Sequence, residues 1–259
     1  MGILKRVYVA EDTLEGIFSA IYDAWKTKRD ADGAGIALKG QMERELFCEY
    51  TQTEPDRKKA AAVERMIKKH LGMETYKDIC YALLSEDEKK ADAVLGTMQA
   101  ARKILNSTKI MEHLACPAVQ KVFALSRKVS NEAHCFIEFV RFKEITNGIL
   151  AARITPKNRI LTCIAGHFAD RFPNEDFLIY DETHRIFLVH RKGRPWFLLE
   201  SEETDFEMLK DELETEEKFA NLWKIFHTSI SIKERENPKL QMSHFPLRYR
   251  ANVLEFDEK

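Results

Sequence analysis

The chain has 259 residues, 44% of them apolar and 32% charged, with a net charge of −1. Sixteen Phe and three Trp give it enough apolar bulk for a sizeable core, which excludes an intrinsically disordered chain. No stretch nears the roughly 18 consecutive apolar residues of a membrane helix. Met1–Lys5 also lack the apolar run of a secretory signal, so a cytoplasmic protein without membrane contact is expected.

Arg6–Ala10 reads as a short strand followed by a helix that Asp12 or Thr13 can cap, with Glu15 in its first turn. Leu14, Ile17, Phe18, Ile21 and Trp25 then repeat at helical spacing. Asp30–Gly35 is a turn rich in Gly and Asp, and the stretch to Cys48 is irregular or a brief strand. Pro55 suits a first helical position. Ala60–Leu71 ends at Gly72, placed for a left-handed cap. Helices follow around Thr75–Leu84 and Asp87–Leu105, and Cys116-Pro117 interrupts the pattern. Val119, Val122, Phe123, Leu125 and Val129 resume it to about Asn131.

Beyond that point β-formers dominate, and Phe136–Ile145 is predicted to be a strand. Asn147-Gly148, between Phe139-Val140 and Ile149-Leu150, marks a hairpin. Asn158 is placed to cap a helix from Arg159 to Phe172, which Pro173 stops. Phe177–Tyr180, Arg185–His190 and Trp196–Leu199 form a meander with Lys192-Gly193 at its second turn. Glu200–Glu217 is acidic and leads into a helix carrying Phe219, Leu222, Trp223, Phe226 and Ile230. The fold class is therefore α+β (mixed α/β), with a central sheet of hairpin and meander and a helical block inserted after the N-terminal strand and helix. No linker divides the chain. One domain over 1–259 is expected, with its helical segment at 55–131.

The five cysteines, Cys48, Cys80, Cys116, Cys135 and Cys163, lie at wide, irregular intervals without a Cys-x-x-Cys pair. They predict reduced thiols, no metal site and no cofactor. The glycine-rich, nucleophile-elbow and zinc-protease fingerprints of common enzymes are absent. What remains is basic. Arg159, Cys163, His167 and Arg171 recur every four residues along one helix side. Gly166 leaves a gap there for a backbone or a ligand. Arg141, Lys143, Arg153 and Lys157 add to the charge between His134 and Arg171. Such groups can track a phosphate backbone. They can equally solvate helix and strand faces or pair with the acidic stretch. His134 and His167 can serve in acid–base chemistry or as hydrogen-bonded structural residues. Asp181, at a strand end, suits a functional carboxylate or the start of a turn.

The strings Phe139-Val140-Arg141-Phe142, Ala152-Arg153-Ile154-Thr155-Pro156, Ala165–Pro173 and Ile179-Tyr180-Asp181 resemble an uncharacterised bacterial family labelled as DNA metabolism or DNA repair proteins. Gly16–Trp25 and Phe245-Pro246-Leu247-Arg248-Tyr249 fit it as well. The likeness makes 132–250 the family-distinctive core. It implies a domain found fused behind uracil-DNA-glycosylase-like domains and accompanied by a radical-SAM protein similar to spore photoproduct lyase. Under that resemblance Arg141, Arg153, Lys157, Arg159, His167 and Arg171 become candidate DNA contacts. The primary expectation is an accessory nucleic-acid-binding protein. The alternatives are a glycosylase-like hydrolase using His167 and Asp181, and an adaptor docking a partner through the acidic stretch and the Trp223 helix.

Overall fold

A computed structural model gives the fold and describes residues 5–26, 33–40, 46–145, 148–200, 237, 239, 242 and 245–252. The chain is mixed α+β, and it divides into two compact units, Met1–Ser130 and Asn131–Lys259. The described strands form two sheets rather than one central sheet. No helix among the described residues is long and apolar enough to cross a membrane.

In the N-terminal unit, β1 (Lys5–Ala10) lies between β2 (Ala34–Leu38) and β3 (Cys48–Gln52), parallel to both. A central parallel strand is covered on both faces, hence its unbroken buried run Val7–Ala10. Helix α1 (Leu14–Lys26) starts as its sequence predicts, with Thr13 Oγ1 accepting the Gly16 amide at 2.9 Å. Helix α2 (Arg57–His70) starts later than Pro55 suggests. Asp56 is its N-cap, accepting from the amides of Lys58 at 2.7 Å and Lys59 at 3.1 Å. Those two amides, that of Lys59 foremost, hold the Asp56 carboxyl below its ordinary range.

Gly72 takes a positive φ of 88° as a cap would, yet α3 (Gly72–Leu83) begins on it directly. Helix α4 (Lys90–Ala101) and a 3-10 turn (Ser107–Glu112) complete this unit's core with Phe18, Ile67, Ile79 and Leu95. Lys90 is buried but paired: its Nζ lies 2.6 Å from Asp12 Oδ1 and donates to the Ser85 carbonyl at 2.7 Å.

Helix α5 (Pro117–Phe139) does not end near Asn131, and Phe136–Phe139 is helical rather than the start of a strand. The reason is tertiary. Phe136 meets Tyr249 edge-on at 5.1 Å between ring centroids, and Phe139 packs against Phe245 at 4.1 Å. Spaced three apart, the two rings share one helix face, and that packing overrides their β propensity.

The five-stranded sheet of the C-terminal unit runs β4 (Lys143–Ile145), β5 (Ile149–Ile154), β6 (Phe177–Asp181), β7 (Ile186–His190) and β8 (Phe197–Glu200). β4–β5 is the hairpin predicted at Gly148, and β6–β7–β8 is the predicted antiparallel meander. β5 and β6 are parallel, joined through helix α6 (Leu161–Arg171).

Asn158 does not cap α6. Its side chain donates instead to the buried Glu132 carboxylate, and Ile160 holds the cap position without a side-chain bond. No disulfide joins the five cysteines, each of them half-buried. The acidic stretch 201–217, the helix expected around Phe219–Ile230, Asn147 and positions 30–32 of the first turn lie outside the described residues.

Candidate nucleic-acid interface

Helix α6 buries Leu161, Ile164, Ala165 and Phe168 and leaves His167 and Arg171 exposed. Its aromatic contacts fix which sheet face it covers. Phe142 lies 5.2 Å from Phe168, 5.3 Å from Phe172 and 5.8 Å from Phe177, ring centroid to centroid. Side chains alternate across a strand, so Phe177, Ile179 and Asp181 point toward α6 while Leu178 and Tyr180 point away.

That alternation separates the predicted basic residues. Arg153 stands in register with Tyr180, on the sheet face opposite α6. There its Nε is 3.9 Å from Glu182 Oε2. Arg141 closes the end of α5, its Nη1 donating to the carbonyls of Glu138 at 3.0 Å and Val140 at 3.4 Å. Arg159 precedes the first helical residue, so the four-residue stripe shrinks to Cys163, His167 and Arg171. Lys157 and Arg159 are exposed at the N-terminal end of α6, and Arg171 is exposed at the other end. Eleven residues of helix span about 16 Å. A Cβ at Gly166 would meet nothing within 4 Å among the described residues.

The loop carrying Lys157 and Arg159 is built on a buried carboxylate. Glu132 is 3% exposed. Its Oε1 accepts the Lys157 amide at 3.1 Å, and its Oε2 accepts the Asn158 amide at 2.9 Å together with the Asn158 side chain.

Arg171 gains neighbours that the sequence reading passed over. The β7–β8 turn carries Arg191, Lys192 and Arg194, all exposed. The Gly193 amide donates to the Pro173 carbonyl at 3.3 Å, holding the turn against the end of α6. The Lys192 amide donates to Asp176 Oδ1 at 2.7 Å, a second tie. Gly193 sits at φ 66°, a conformation that glycine adopts without the strain other residues incur. Arg171, Arg191, Lys192 and Arg194 thus gather at one corner, where Asp170, Glu175 and Asp176 are also exposed. The signal lay in the sequence as Arg-Lys-Gly-Arg at the meander's second turn, read there for its geometry alone.

Asp181 and His167 are not paired. Asp181 is 1% exposed, and its Oδ2 lies 2.7 Å from Nδ1 of His184, a residue the sequence reading omitted. Its Oδ1 accepts the His184 amide at 3.1 Å, closing the β6–β7 turn. His167 meets Phe168 edge-on, with ring centroids 5.1 Å apart. The Asp-x-x-His spacing was the available clue. No cluster of His, Cys, Asp or Glu suited to a metal ion occurs among the described residues.

No curated protein matches the chain. A family model does match, over residues 88–255, a span that takes in Glu132, α6, the basic turn and the Asp181–His184 pair alike. By that match the chain belongs to the DUF4130 family, a domain of unknown function.

Proposed function

We propose that the chain binds nucleic acid, DNA on its resemblance, and acts as an accessory to a partner enzyme. That partner is, on the same resemblance, a radical-SAM protein similar to spore photoproduct lyase. The contact runs along α6, from Lys157 and Arg159 at one end, past His167, to Arg171 and the turn Arg191–Arg194 at the other. The observation that supports this reading is the 3.3 Å bond from the Gly193 amide to the Pro173 carbonyl, which sets four cations at one corner. Guanidinium and ammonium groups there contact phosphates without reading bases. Arg141 and Arg153 serve the fold.

The test is fluorescence anisotropy on single- and double-stranded DNA across a salt series. The four corner cations contribute about −3.6 to the slope of log K against log salt on duplex and about −2.8 on a single strand, with Lys157 and Arg159 adding to it. Replacing Arg171, Arg191, Lys192 and Arg194 by alanine removes most of that slope, while Arg153→Ala leaves it nearly unchanged. Equal binding by wild type and the quadruple variant overturns the interface.

The Asp181–His184 pair favours a second reading, a hydrolase acting on a nucleobase or nucleotide. A buried carboxylate on Nδ1 fixes the imidazole tautomer and leaves Nε2 to take a proton from water. Incubation with uracil-containing DNA followed by abasic-site detection separates the readings. Base release that His184→Ala abolishes supports the hydrolase, and no release by the wild type removes it.

A further inference from the structure

The N-terminal unit holds a cavity of about 390 Å³ between α1, α2, α4 and the 3-10 turn. Its walls are apolar: Trp25, Met66, Leu71, Met98 and Ile104. Its polar groups are few. Arg102, exposed just past α4, holds its guanidinium carbon 5.1 Å from the centroid of the Trp25 ring. Ser107 donates its hydroxyl to the His70 carbonyl at 2.7 Å, pinning the 3-10 turn to the end of α2 and fixing that wall. Small-molecule sites typically occupy about 300–1,000 Å³ and combine apolar walls with a few orienting polar groups.

We infer that this cavity binds a planar aromatic group bearing an anionic arm. The ring lies among Met66, Met98 and Leu71 beside the Trp25 indole, where offset stacking and adaptable thioethers favour a flat aromatic body. The anion meets Arg102. The guanidinium, held over the indole at that distance, carries a planar fork of donors that matches a carboxylate or a phosphate. This site is independent of the nucleic-acid interface on the C-terminal unit, and its test does not use DNA binding.

The probe is anilinonaphthalene sulfonate on the full-length protein, followed by energy transfer from tryptophan, with neutral N-phenylnaphthylamine as control. Trp25→Phe should sharply reduce the transfer, leaving only what Trp196 and Trp223 contribute. Arg102→Ala, at an exposed position, should weaken the sulfonate probe about 10- to 100-fold, as expected for losing a charge-assisted contact. The neutral probe should change little. Ile104→Trp fills the cavity and should expel both, with circular dichroism reporting that each variant is folded.

Sulfonate affinity unaltered by Arg102→Ala and by Ile104→Trp overturns the site. Competition then distinguishes the source. Displacement by deoxyadenosine monophosphate identifies a nucleotide ligand, and displacement by indole-3-acetate alone identifies an aromatic acid. Failure of both at millimolar concentration overturns the ligand class.

Discussion

Removing the Glu132 carboxylate should cost the C-terminal unit a large share of its stability. The side chain is 3% exposed and accepts from three donors: the amides of Lys157 and Asn158 and the Asn158 side chain. In Glu132→Ala those donors lose their acceptor. A buried donor left unsatisfied costs about 1–3 kcal/mol. The Lys157 amide can recover water as the loop relaxes, so the total should fall near 3–5 kcal/mol, against the roughly 5–15 kcal/mol of a whole domain. Glu132→Gln keeps one oxygen but turns an NH2 toward the other amides, and should lose about 1–3 kcal/mol. Urea unfolding followed by circular dichroism measures both variants, with the shift expected in the midpoint rather than the slope. The loop held by Glu132 also presents Lys157 and Arg159, so the salt dependence of DNA binding should weaken in the same variant. A loss below about 0.5 kcal/mol in Glu132→Ala would refute the reasoning, because the loop would then be held by other contacts.

Tyr249 should show its burial as an alkaline transition. Burial first, then the neighbouring Cys135, pushes its phenol up to about 12. A folded-state value above the unfolded one near 10 means stability present below pH ~10 and lost as the pH rises toward ~12. Phenolate absorbance in the folded protein checks this, and a Tyr249 phenol ionising at its ordinary pH contradicts it. Two of the helix glycines, Gly16 and Gly166, should respond oppositely to alanine. A Cβ at Gly16 would stand 2.7 Å from the Glu11 carbonyl oxygen, so Gly16→Ala should lower stability by about 1–3 kcal/mol. Gly166 has open space, so Gly166→Ala should raise stability by up to about 1 kcal/mol in thermal melts.

What the sequence disclosed depended on the range of the forces involved. The Gly148 hairpin and the β6–β7–β8 meander were legible because turn residues and β-formers act locally. The length of α5 was not. Phe136 and Phe139 look like strand residues until Phe245 and Tyr249, more than a hundred positions on, supply the surface that makes them one helix face. Asn158 likewise reads as a cap, but a carboxylate 26 residues earlier outcompetes the helix end for its amide. Where Arg153 stands relative to the stripe on α6 was hidden for a simpler reason. Helical spacing says nothing about which side of the sheet a neighbouring strand residue leaves, and register with Tyr180 decided it.

A net charge of −1 does not argue against a polyanionic partner, because a phosphate backbone senses charge within roughly one Debye length, about 8 Å in physiological salt. What matters is the corner itself, where Arg171, Arg191, Lys192 and Arg194 face the carboxylates Asp170, Glu175 and Asp176. Asp176 is engaged with the Lys192 amide, so it positions the turn, yet its charge still counts. The local excess is therefore small. Attraction comes from donor groups held ready by the fold more than from a long-range field. In the proposed role, a surface of this kind would fall in the weak non-specific range of about 10⁻⁴–10⁻⁶ M, too loose to hold a substrate alone. Joined to a second binding surface on the proposed partner it would gain effective concentration, and two modest contacts would become one firm one. The small excess charge is thus the physical reason that an accessory role suits this corner better than that of a stand-alone DNA-binding protein.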